Sequence, residues 1–330
     1  MVSSLLNRRG LIKGALAATA AGALGLRPRA EGLLGQETSK RMTPVTDGAT
    51  EMLPCGKIGK LTISRMLLGG NLLTHFTHSR DLRYVYNLAA HYNTDEKILE
   101  TLAVAEQNGI NTMSMHNPPH AMGLLKKYRQ QGGKIQWIIC PTATIEDHME
   151  AYTAQVKSLV DDGCDAIYVW GVSADPLVSQ KRVDLIAKAV QVAKDLGVPS
   201  GVGCHDLRVV EQCEKHQVPA DFYIKTFHSH DYPTAPKPNQ LKGATSEVPG
   251  YWCKDPQATI EVMNKVEKPW IAFKIMAAGA IPPKKAFPYA FHNGADHILV
   301  GMFDYEIAED VKLAKAAITA AAKRPRPWRS

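Results

Sequence analysis

His116, His205 and His228 each close a short apolar run, at residues 111–116, 199–205 and 222–228. Neutral imidazoles are the commonest protein ligands of divalent transition metals. Three of them with one open position make the ligand set of a catalytic zinc site. Asp206 follows His205 directly, and Asp231 lies shortly after His228. Either carboxylate could be a fourth ligand, fix an imidazole tautomer, or move a proton. Lys274 interrupts an otherwise apolar stretch, residues 272–276. In such surroundings its amine could stabilise an oxyanion, act as a base or form a Schiff base. No Cys-x-x-Cys or His-Glu-x-x-His motif is present, so this reading rests on convergence rather than on a motif. The expectation is a divalent transition metal (zinc, manganese or iron) on His116, His205 and His228, with Lys274, Asp206 and Asp231 as catalytic groups. Histidines that only hydrogen-bond a polar substrate remain the alternative. Lys225 has the opposite strand parity to His228 and is expected in a structural ion pair.

Convergence needs elements that bring distant residues to one place. Eight apolar runs, at residues 65–71, 111–116, 135–141, 166–171, 199–205, 222–228, 270–276 and 297–302, alternate with helix-like segments. Strands alternating with helices of this length imply a parallel sheet, and eight such units imply a closed (β/α)8 TIM barrel. The carboxyl ends of the strands then form one rim, where the three histidines would meet. Helix boundaries are legible as well. Thr94 is an expected N-cap, Gly109 and Gly163 are expected stops, and Asp175-Pro176 is read as opening a helix that runs to Gly197. Asp255-Pro256 should open a sixth helix, residues 282–292 a seventh and residues 305–322 the last. Two rim connections, residues 72–93 after the first strand and 229–254 after the sixth, are too long for simple connectors and are read as substrate walls. Within and beside them His75, Arg80 and Tyr232 are candidate substrate contacts. So is Trp170, whose ring could pack on an apolar face of a substrate.

The chain has 330 residues, 45% hydrophobic and 22% charged, enough for one barrel with extensions. The net charge of +7 is spread without a basic stripe interleaved with aromatics, which argues against nucleic acid as a partner. Arg8-Arg9, Leu11-Ile12 and Lys13 precede a small-residue apolar stretch, a pattern similar to a twin-arginine export signal. The expected organisation is a signal at 1–30, a linker at 31–52, the barrel at 53–323 and a basic tail at 324–330. Export by the twin-arginine machinery would place the protein in the periplasm or another extracytoplasmic space, touching membrane only through the signal. The partner it then needs is a small-molecule substrate. Six cysteines are present, but a barrel of this size has an ample core without a disulfide framework.

Several segments together resemble the aldo/keto reductase superfamily: GKIGKLTISRMLLGG at 56–70, TDEK at 94–97 with AEQNGINT at 105–112, FKIMAAG at 273–279 and GADHILVGM at 294–302. The resemblance implies the barrel fold across most of the chain. It does not extend to the chemistry. Those reductases place an Asp and a Tyr just after the second strand, a Lys at the end of the third and a His at the end of the fourth. Here the second strand continues TMSMHNPPH at 112–120, the third ends at Cys140-Pro141, and Trp170 stands at the end of the fourth. Without that tetrad, and without an Arg/Lys-Ser cluster after the eighth strand, the sequence argues against NAD(P) as cofactor. The leading expectation is a metal-assisted isomerase, lyase or hydrolase acting on a small polyhydroxylated or acidic substrate. The alternatives are an NAD(P)-dependent oxidoreductase with a rearranged acid, His116 being the substitute, and a non-catalytic binding protein on a barrel scaffold.

Overall fold

Residues 53–330 are described by a computed structural model. The expected signal and linker lie outside them. The described chain opens with a hairpin of β1 (Cys55–Ile58) and β2 (Leu61–Ser64), paired so that Ile58 faces Leu61. Gly59, at φ 55°, takes the left-handed turn position that a side chain would strain. Eight parallel strands follow: β3 (Met66–Gly69), β4 (Thr112–His116), β5 (Gln136–Cys140), β6 (Ala166–Val169), β7 (Ser200–Cys204), β8 (Phe222–Thr226), β9 (Trp270–Phe273) and β10 (His297–Val300). Each pairs with the next and β10 pairs with β3, closing the barrel. The TIM-barrel fold expected from the alternation is the fold observed.

Two apolar clusters hold it. The larger lies between strands and helices. The smaller fills the barrel interior: Leu67, Ile138, Ala166, Phe222, Ile224, Ile271 and Leu299, plugged from below by Ile58, Leu61 and Ile63 of the hairpin. Helix ends follow local chemistry. The Thr94 side chain accepts from Lys97 N at the start of α2 (Asp95–Gln107), after the short α1 (Arg83–Tyr92) in the first long loop. Gly109, at φ 86°, then ends that turn. After β4 and β5 come α3 (Pro119–Gln130) and α4 (Glu150–Asp161). The single helix expected between Asp175 and Gly197 is instead two, α5 (Gly171–Ser179) and α6 (Val183–Asp195). Lys181, at φ 61°, breaks the run between them. The remaining helices are α7 (Leu207–Lys215), α8 (Pro256–Met263), α9 (Pro283–His292) and α10 (Ile307–Ala320). No described helix is long and apolar enough to cross a membrane. All six cysteines are free thiols.

The residues read as a basic tail are structural. Asp296, fully buried just before β10, accepts from Arg324 Nη2 at 2.8 Å and Arg326 Nη1 at 2.6 Å. It also accepts from the amides of Trp270 and Arg329. Trp328 lies between two guanidiniums, 3.5 Å from that of Arg324 and 4.2 Å from that of Arg65. The buried His297 bonds through Nδ1 to Ser64 O and through Nε2 to the Ser330 hydroxyl. These groups surround the amino ends of β3, β9 and β10 and close the floor. Removing one partner of a buried ion network strands the remaining charges. Asp296→Asn should therefore cost about 3–5 kcal/mol in urea unfolding, and a change near zero would show that the arginines reach water.

Candidate functional site

At the opposite end, the strand ends surround a cavity of about 310 Å³ lined by Asn71, Phe76, His78, His116, Trp170, His205, Glu247, Trp252 and Lys274, among others. A second cavity of about 460 Å³ adjoins it along the ends of β3, β9 and β10, sharing Asn71, His78, Tyr168, Trp252, Phe273 and Lys274.

Lys274 follows β9 directly and sits at φ 56°, an uncommon conformation for a residue with a side chain. Its Nζ donates to His78 Nε2 and lies 5.4 Å and 5.2 Å from the ring centres of Trp252 and Phe273. Burial pushes the amine down to about 7, with Glu247 and Asp175 only partly opposing the shift. His78 Nδ1 is 2.9 Å from Glu247 Oε2. A carboxylate can only accept, so Nδ1 carries the proton and Nε2 receives the bond from Lys274. The other Glu247 oxygen accepts from the amides of Ser79 and Arg80, at 3.0 and 2.8 Å. Burial alone would raise the Glu247 carboxyl, but the bonds from His78 and the two amides hold it below the ordinary range. The two long loops thus meet over Lys274 in a Glu–His–Lys chain.

A second chain reaches the cavity from α5. A Cβ on Gly171 would stand only 3.2 Å from the Cys204 backbone, so glycine lets α5 begin hard against β7. One turn later, Asp175 accepts from the amides of His205 and Asp206 and lies 2.8 Å from His205 Nδ1. His205 Nδ1 therefore holds the proton, leaving Nε2 as a lone-pair acceptor. Burial lowers the His205 pKa, keeping the ring neutral near pH 7. His116 stacks on Trp170 with centroids 6.0 Å apart and meets the edge of Phe76 at 5.3 Å; burial lowers its pKa also.

The expected metal triad is corrected here. His116 and His205 line the cavity, but both nitrogens of the fully buried His228 are taken by backbone. Nδ1 donates to Ser229 O at 2.9 Å, and Nε2 accepts from Trp252 N and Cys253 N at 2.9 and 3.1 Å. His228 ties the end of β8 to the returning arm of its loop and has no lone pair left for a metal. Among the described residues no group of three or more His, Cys, Asp or Glu is arranged to hold a metal ion.

The other expected residues divide. Lys274 and Trp170 line the cavity. Asp206 caps α7 through Arg208 N and pairs with the Arg208 guanidinium. Asp231 is almost fully exposed, 4.0 Å from Lys285. His75 bonds to Asn93 O, Arg80 to the Thr234 hydroxyl, and the Tyr232 hydroxyl to Gly250 O. These three brace the rim loops. Lys225 is buried and donates to the carbonyl and hydroxyl of Thr226 rather than to a carboxylate. The reading of single strand ends did not single out Glu247 or Asp175, and it left His78 as a loop residue. The available signal was that both over-long loops sit on the catalytic rim and each carries ionisable residues.

No protein-family profile matches the sequence, and no curated protein matches it. Solved structures do. A Pseudomonas aeruginosa protein assigned to the aldo-keto reductases aligns with a TM-score of 0.56 at 16% identity, over 81% of this chain and 97% of the other. The holo form of an aldo-keto reductase from Bacillus halodurans aligns at 0.52 and 11% identity, over 84% and 100%. A variant of Gox0644 in complex with NADPH aligns at 0.53 and 11% identity, over 84% and 96%. At these identities the likeness establishes the shared barrel. It also overturns the argument against NAD(P), because the same barrel in these relatives includes an NADPH complex. The reading as a metal-assisted isomerase, lyase or hydrolase is withdrawn with the ligand set that carried it.

Burial lowers the His228 pKa from 6.5 to about 4. Between those values the unfolded chain binds a proton that the fold excludes, so stability falls as pH drops from 6.5 towards 4. The expected slope from this one group is about 1.4 kcal/mol per pH unit. Urea midpoints measured across that range should show a shallower acid slope in His228→Phe than in the wild type; equal slopes would mean that His228 titrates normally.

Proposed function

We propose that the protein is a nicotinamide-dependent oxidoreductase acting on a small carbonyl compound or the corresponding alcohol, with Lys274 replacing the acid of the usual tetrad. The observation that carries this reading is the Glu247–His78–Lys274 chain ending inside the cavity. The cavity along β3, β9 and β10 suits the cofactor's nicotinamide–ribose end. It is largely apolar, its strand ends are the glycines Gly69, Gly70 and Gly301, and it opens into the space before Lys274. Among the described residues Lys274 is the only Lys or Arg lining it, and Glu306 and Asp310 line it too. Carboxylates there can accept hydrogen bonds from the hydroxyls of that ribose.

A bound nicotinamide would supply the hydride for reduction, or take it in oxidation. The protein's own work is at the oxygen. Lys274 Nζ donates a hydrogen bond to the substrate carbonyl oxygen and, as negative charge develops there, transfers a proton to it. An amine with a pKa near 7 is well matched to this transfer at neutral pH. His78 accepts from the amine and is fixed in its tautomer by Glu247, which keeps Nζ aimed and offers a route for its reprotonation. Trp170, Phe76 and Trp252 supply apolar walls that exclude water.

The test is carbonyl-dependent loss of NADH or NADPH absorbance across a panel of small aldehydes and ketones. Lys274→Met should lower kcat by about 10²- to 10³-fold with binding of the nucleotide, followed by fluorescence, nearly unchanged. In the wild type, reduction should be fastest below pH 7 and decline as pH rises through about 7, where Lys274 loses its proton. Lys274→Arg, permanently charged, should remove that decline. A profile unchanged by Lys274→Arg would assign the acid to another group.

A further inference from the structure

Hydride transfer with Lys274 as acid leaves the second proton-handling pair unused. His205 lines the same 310 Å³ cavity as Lys274, and among the described residues its Nε2 has no hydrogen-bond partner, while its Nδ1–H is held by Asp175 at 2.8 Å. Asp175 is itself fixed by two backbone amides. An imidazole oriented in this way, with a carboxylate behind and a lone pair in front, is a general base. Both groups line one cavity of about 310 Å³, and Lys274 is near enough for its charge to bear on the His205 imidazole.

We propose that the site also catalyses proton exchange at the carbon next to a bound carbonyl, with His205 as base and Lys274 holding the oxygen. The ligand class is an enolisable aldehyde or ketone. His205 Nε2 takes the proton from that carbon, and the C–H electron pair becomes the C=C bond of an enolate. The carbonyl π pair moves onto the oxygen, which Lys274 stabilises by hydrogen bonding. Return of a proton from His205 to the carbon restores the carbonyl. If the imidazolium has exchanged with solvent meanwhile, the carbon carries a solvent proton. No electron acceptor or metal takes part, and no nucleotide is needed. Asp175 is a positioning residue: it holds the tautomer that leaves Nε2 free and stabilises the imidazolium. The inference rests on the assignment of Lys274 as the group that grips the carbonyl oxygen, but not on hydride transfer.

The experiment is deuterium incorporation from D2O without nucleotide, followed by proton NMR. The probes are hydroxyacetone, acetoin and cyclohexanone at millimolar concentration, with their binding monitored through tryptophan fluorescence. At least one bound ketone should lose its adjacent proton signals faster with protein than with buffer. His205→Gln should slow this exchange by about a hundredfold, and Lys274→Met should do likewise. Asp175→Asn should slow it less and change its pH profile, because the amide no longer favours the Nδ1–H tautomer. His205→Ala should regain exchange when imidazole is added, a result that a purely structural role would not produce. Exchange that survives in His205→Gln, or a bound ketone that shows none, overturns the proposal. So does failure of all three ketones to bind. Exchange without NADH or NADPH turnover would instead support this proposal and reject the oxidoreductase reading.

Discussion

Compensation of buried charge organises this molecule from the floor upward. Asp296 sits under the barrel with two arginines bonded to its carboxylate and a third, Arg65, donating to its backbone carbonyl. Because those groups satisfy one another, the amino ends of β3, β9 and β10 can be covered by protein without stranding a charge in the interior. The hairpin then plugs the barrel with Ile58, Leu61 and Ile63. With the floor sealed and the interior filled, the open end of the described barrel is the one at the carboxyl ends of its strands.

The opposite rule holds at the mouth. Among the described residues no carboxylate is bonded to the Lys274 amine; it donates to an imidazole, and the carboxylate stands one residue further back. Arg324 and Arg326 share the carboxylate of Asp296 by direct contact and serve packing. The mouth lysine is left with a proton that it holds weakly, because burial disfavours its charged form. Its left-handed backbone conformation belongs to the same economy, since strain of this kind persists where surrounding structure over-determines it. Similar residue types thus sit in an ion network at one end and line a cavity at the other.

Sequence patterning revealed most of this architecture and the less specific half of the site. The strands were legible because each apolar run is short and bounded by turn residues; His116 and His205 were legible because they end such runs, and Lys274 because it interrupts one. His228 looked equivalent by position, but strand parity cannot show that two amides of a returning loop occupy its Nε2. Glu247 was invisible for a related reason: its partners, Ser79 and Arg80, are more than 160 residues away and on another loop. The final arginines read as a basic tail because composition cannot report that Asp296 lies beneath the barrel. Trp328 makes the same point, since an aromatic between two guanidiniums looks like an isolated residue in a basic string.

The bonds from Glu247 to His78, Ser79 and Arg80 make the two rim loops a single heritable unit. A lengthening of one loop that shifts Glu247 would misalign the other loop's imidazole and, through it, the lysine on a third segment. In descendants of this chain these two loops must drift together, as must the segments that carry Asp175 and His205. Grafting either loop alone onto a related barrel would transplant a wall without its chemistry.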